Sequence, residues 1–189
     1  MKKMHRLFLS ALITIPSFAQ STEDTANGKF HDDLLSHLVG KWEVTSVAHG
    51  FASTAVIEAA WILNHQHLRL HFKGNDVIPW IGTPMEFDYF IGYNHSSKRY
   101  VIHAVSVFGN DDDEGFWYAG RTGNEIEIIQ RGVNNSDTLT LQRFTWDPTY
   151  RSWHIQSRWR VAGKEDEVFL DMKLMAAKTS VKQKNTLGK

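Results

Sequence analysis

The chain has 189 residues, no cysteine, and 21 basic against 21 acidic side chains. The lack of cysteine excludes thiolate metal sites, cysteine nucleophiles and a fold held by disulfides. The lack of excess positive charge argues against a nucleic-acid partner.

The first segment reads as an address rather than as structure. "MKKMHR" is a short basic lead, "LFLSALITI" is an apolar run too short to span a bilayer, and Ser17 and Ala19 stand at the −3 and −1 places of a cleavage site. Residues 1–19 are therefore expected to be a cleavable signal peptide, cut after Ala19, and the remainder a periplasmic or secreted protein. The cut removes Lys2, Lys3 and Arg6, three of the 21 basic residues, and leaves the mature chain mildly acidic. Residues 20–30 form a polar lead-in expected to be mobile. Residues 31–176 carry the structural patterning of one domain, long enough to bury a core. Residues 177–189 are a basic tail without apolar spacing.

Within the domain, "HDDLLSHLVG" predicts a short helix, with Asp32 or Asp33 at its start, Leu34, Leu35 and Leu38 on one side and Gly40 as its stop. From Lys41 onward the period is two. Ten runs follow: "KWEVTSVAHG", "STAVIEAAWIL", "QHLRLHF", "MEFDYFIGY", "RYVIHAVSVF", "GFWYAGR", "EIEIIQR", "DTLTLQRFTW", "SWHIQSRWRV" and "EVFLDMKLM". Breaks such as "HGFAS", "YNHSSKR", "RTGNE" and "AGKED" carry turn chemistry and are of hairpin length. Ten consecutive antiparallel strands with one small helix predict an all-β, up-and-down meander. Such a meander removes its exposed edges by closing into a barrel.

"LVGKWEVTS" places Gly-x-Trp on the first strand, just after the short helix. This resembles the calycin barrels: lipocalins, fatty-acid-binding proteins and nitrobindin-like proteins. "EAAWILNHQHLRLHFKG", "FIGYNHSSKRYVIHAVSVFGN" and "GFWYAG" extend the likeness to an uncharacterised bacterial calycin-like family, over most of Leu38 to Met175. The resemblance implies a barrel whose lumen takes a small apolar or amphipathic molecule. Its motifs are structural and name no reaction. The nitrobindin-like branch holds haem through a histidine near the C-terminal strand. "EDEVFLDMKLMAA" has none, so no cofactor is expected.

The stretch "LNHQHLRLHFKG" raises a metal question. If the strand starts early, His65, His67, Arg69 and His71 share one face, and Leu68, Leu70 and Phe72 the other. His65 and His67 could form a His-x-His pair, with a third ligand from Glu58, His103 or Asp88. His71 stands about 13 Å from His67 along a strand and cannot join the same ion. The plainer reading is a polar stripe on a strand with one wet face, with Leu68, Leu70 and Phe72 pointing inward.

Candidate ligand-binding residues are Trp42, Glu58, Trp61, Arg69, Tyr89, His103, Trp117 and Arg158. The aromatics among them sit at strand positions and either fill the barrel or line a cavity. Glu58 stands in an otherwise apolar strand, where burial would demand a partner such as Arg69. Arg158, with Arg160 on the same face, has the fork geometry that pairs with a ligand carboxylate. The Arg-x-Tyr signature of fatty-acid-binding proteins is missing. The acidic "GNDDDEG" reads as a solvated hairpin tip rather than a calcium loop. Neither a Gly-x-Ser-x-Gly elbow nor a phosphate loop occurs. The first expectation is a non-enzymatic lumen binder without membrane spans. The alternatives are an enzyme using lumen His and Glu, with or without a metal, and an envelope scaffold without a small ligand.

Overall fold

The structure, a computed structural model, describes residues 29–107, 116–131 and 138–178. The signal-peptide reading, the "GNDDDEG" tip and most of the basic tail lie outside the described residues. Ten antiparallel strands close into a barrel in simple meander order: β1 (Gly40–Ala48), β2 (Phe51–Ile62), β3 (His67–Val77), β4 (Pro84–Asn94), β5 (Arg99–Ser106), β6 (Trp117–Thr122), β7 (Glu125–Arg131), β8 (Thr138–Asp147), β9 (Ser152–Val161) and β10 (Glu167–Ala176). β1 pairs with both β2 and β10, so neither of these strands leaves a free edge. Each of the ten expected runs corresponds to one strand.

The period-two patterns become an inner and an outer wall. Trp42 and Val44 on β1, Ala55, Ile57 and Ala59 on β2, and Leu68, Leu70 and Phe72 on β3 are all buried. The apolar side of β3 thus faces inward, as its pattern predicts. Among the described residues β5 and β6 pair over three positions, Tyr100↔Ala119 to Ile102↔Trp117, whereas β8 and β9 pair over ten. Of the seams among the described residues, that between β5 and β6 has the fewest register pairs.

The predicted helix is a single turn, α1 (Asp33–Ser36). Asp32 caps it, accepting from the Leu35 N–H at 2.7 Å. A turn this short has no stability of its own. It is held because Leu34, Leu35 and Leu38 are essentially fully buried in one end of the barrel. Gly40 has φ +128, so the chain reverses from this plug into β1 at a conformation that L side chains rarely adopt. Phe30, within the expected mobile lead-in, is also buried, stacked on Tyr93 at 5.4 Å. Packed structure therefore starts before residue 31.

Among the described residues no helix is long and apolar enough to cross a membrane.

Candidate functional site: a lumen closed at one end

One end of the barrel is solid. Trp42 Nε1 donates to the Leu38 carbonyl at 2.7 Å, and Trp153 Nε1 to the His37 carbonyl at 3.3 Å. Two strand tryptophans thus hold the last carbonyls of the plug, which a one-turn helix cannot satisfy itself. On the other side Tyr100 donates its hydroxyl to Asp32, which is 1% exposed. Arg121 reaches over both aspartates, 3.4 Å from Asp32 and 2.5 Å from Asp33. The Arg121 bond holds the Asp33 carboxyl below the usual range. Burial, then the Asp32 charge, pushes the Tyr100 phenol well above its ordinary value.

The other end is open. A cavity of about 390 Å3 enters the lumen there, within the range of small-molecule sites. Phe72, Phe87, Tyr89 and Trp117 form its aromatic wall, with Phe72 and Phe87 stacked at 4.7 Å and Tyr89 edge-on to Trp117 at 5.4 Å. Ser46, Ser53, Gln130, Thr140, Gln142 and Ser157 face it from the remaining strands. An aromatic rim surrounds the mouth. His49 lies against Trp80, Trp159 and Phe169 at 5.4 to 5.7 Å, and Trp80 is 53% exposed. The rim is shaped by local chemistry. His49 and Gly50 both have positive φ, the requirement of a tight hairpin turn, and Phe169 is the extra residue where the β9–β10 register shifts. Among the described lining residues there is no Asp, Glu, Lys or Arg.

The residues singled out from sequence divide between three places. Tyr89 and Trp117 line the cavity. Trp42 and Trp61 face inward but belong to the closed end, Trp61 stacking edge-on to Phe30 at 5.6 Å. Glu58, Arg69, His103 and Arg158 are on the outer wall, and so do not meet the other four. Glu58 is not buried and does not pair with Arg69. It is 2.8 Å from Lys41, with its side chain 59% exposed. Arg69 forms a two-pronged bond with Asp88 at 2.7 and 2.9 Å. His103 packs on Phe116 at 5.4 Å. Arg158 contacts Glu127 and lies 3.0 Å from Asp166, in an outer network with Arg143 and Arg160. Alternation explains the outward set, because each is one residue out of step with a buried neighbour such as Ile57, Leu68 or Ser157.

The three histidines of the "LNHQHLRLHFKG" stretch have three separate roles. β3 starts at His67, so His65 is not on the strand. His65 sits in a turn where Leu63, Asn64 and His65 all have positive φ. It stacks on Trp61 at 4.2 Å and lies 2.8 Å from the Phe30 carbonyl. His67 lies over Gly92 on the outer wall, where any Cβ would come within 2.8 Å of its ring. His71 faces Asp88 at 3.1 Å and Glu86 at 3.5 Å. Among the described residues no group of three or more His, Asp or Glu is placed to hold a metal ion.

Sequence reading missed Gln142 and Ser157. On β9 the inward face runs Trp153, Ile155, Ser157, so a serine interrupting an apolar face was the available signal. On β8 the signal was obscured. Leu139 and Leu141 mark the opposite face as apolar, yet Phe144 and Trp146 carry Thr140 and Gln142 inward with them.

Compared with known proteins, the chain matches no protein-family model and no curated protein sequence.

Proposed function

We propose that this protein is an exported, calycin-like binding barrel that holds one small apolar or amphipathic molecule in its open-ended lumen. The observation that carries the reading is the contrast between a sealed end and a cavity of about 390 Å3 walled by aromatics at the other. Desolvation of the ligand against Phe72, Phe87, Tyr89 and Trp117 supplies the affinity, and the polar lumen residues orient it. Among the described lining residues there is no arginine to pair with an anionic head, and the one histidine, His49, stands at the rim. The outer wall bears ion pairs along several strands, including Lys41–Glu58, Arg69–Asp88 and Arg143–Glu127. A membrane barrel needs an apolar outer band instead, so these pairs support a wall that faces water. The signal-peptide pattern of residues 1–19 supports export.

Two measurements test this. Native mass spectrometry of the protein purified from its source is expected to show a retained small apolar mass, lost in Ala104→Trp, which fills the lumen. A lumen that retains nothing and binds no apolar probe overturns the reading. N-terminal sequencing of the exported form is expected to start at Gln20.

A further inference from the structure

We propose that the lumen selects an uncharged ligand ending in a hydroxyl group, and that Gln142 and Ser157 are the pair that reads it; this rests on the lumen-binding reading above. The two side chains are register partners on β8 and β9. Gln142 Nε2 donates to Ser157 Oγ at 3.1 Å, and this bond fixes both groups. Gln142 Oε1 is buried and has no hydrogen-bond partner. Ser157 is 2% exposed, and because its oxygen accepts from Gln142 its own proton remains to be given. The pair therefore presents one acceptor and one donor side by side. The other buried serine facing the cavity, Ser46, is already matched with Ser53 at 2.8 Å.

A single hydroxyl satisfies both groups at once, donating to Gln142 Oε1 and accepting from Ser157. It exchanges its bonds to water for equivalent bonds in the wall, so its transfer is close to neutral. Buried polar atoms normally have partners, and an acceptor left without one costs free energy that a matching donor recovers. A carboxylate meets the opposite fate. It brings a negative charge to an unshared oxygen lone pair, and the described lining offers no cation to offset desolvation. An ether can accept from Ser157 but leaves Gln142 Oε1 unmatched. The neighbours across the register are Ile128 beside Gln142 and Leu170 beside Ser157, so the pair sits as a polar spot between apolar flanks. That placement suits a head group whose attached chain is apolar.

The experiment titrates 1-decanol, 1-methoxydecane and decanoate into the protein at pH 8, followed by the tryptophan fluorescence to which lumen Trp117 contributes. Decanol is expected to bind about tenfold or more tightly than either of the others. Gln142→Leu is expected to bring decanol down to the level of methoxydecane while changing methoxydecane affinity by no more than about twofold. Ser157→Ala, the second variant, is expected to weaken decanol and methoxydecane alike, since both accept from its hydroxyl. Equal binding of decanol and methoxydecane by the unaltered protein, or a decanol preference that survives Gln142→Leu, overturns the inference and leaves the lumen reading standing. Binding of none of the three probes overturns both.

Discussion

The two ends of the barrel use the same kinds of residue to opposite effect. At the closed end, tryptophans and tyrosine spend their polar atoms on the plug: Trp42 on Leu38, Trp153 on His37, Tyr100 on Asp32. At the open end the aromatics Phe72, Phe87, Tyr89 and Trp117 pack on one another and leave space between them and the opposite wall. Asp32, Ser46 and Ser157 are the buried polar residues among those described. Asp32 belongs to the closed end and is bonded on every side, whereas Ser157 belongs to the open end and shares its site with an unmatched amide oxygen. The difference teaches that aromatic content alone does not mark an open cavity. What distinguishes the open end is the space it keeps and the Gln142 amide oxygen that the fold leaves unmatched beside it.

The strongest way to break the closed end is Asp32→Ala. It removes the cap on α1 and leaves the Tyr100 hydroxyl without its acceptor, while Arg121 keeps Asp33, at an expected cost of about 2–5 kcal/mol by urea denaturation. Opposite substitutions at the two ends sharpen the contrast. Leu35→Ala, at a fully buried plug position, is expected to cost about 2–5 kcal/mol. Ala104→Trp, which grows into the cavity, is expected to cost less than about 1–3 kcal/mol, the usual toll of overpacking a filled core, while abolishing probe binding. If both ends respond alike, the lumen is not a designed space.

Acid weakens one ion pair of the outer wall. Hydrogen bonding from Arg69 holds the Asp88 carboxyl below its ordinary value. The folded state therefore gains stability from Asp88 that is complete above about pH 4 and is lost as pH falls through the depressed folded value. With Arg69 45% exposed, screening limits the gain to under about 1 kcal/mol. Asp88→Asn should differ in stability from the unaltered protein at pH 7 and converge with it near pH 2, with lumen binding at pH 7 the same in both.

The smallest effect concerns the turn after β2. Leu63 is 68% exposed with φ 48, so its side chain packs little while its backbone is strained. Relief of a left-handed L residue is worth about 1–2 kcal/mol. The greater freedom of glycine in the unfolded chain returns about 0.5–1 of that. Leu63→Gly is expected to raise the denaturation midpoint slightly, and a fall would mean that Leu63 has a contact role.

Period-two alternation from Lys41 to Met175 was enough to place ten strands and to turn Leu68, Leu70 and Phe72 inward, because a side chain's face in a strand follows from its parity. Gly40 as the stop of the short helix was equally legible, because a glycine that ends a helix and turns the chain into β1 is a local feature. Parity could not say which face is inner where both look mixed, and Glu58, Arg69, His103 and Arg158 were grouped with inward aromatics although closure puts them outside. Gln142 meets Ser157 only because β8 and β9 pair in one register. A shift of one residue would turn either side chain to the other wall. The strand rhythm was thus written in the chain itself. The tertiary structure alone decided which end is sealed and which polar atoms are left over in the lumen, since both depend on pairing between strands rather than on the order of residues within one.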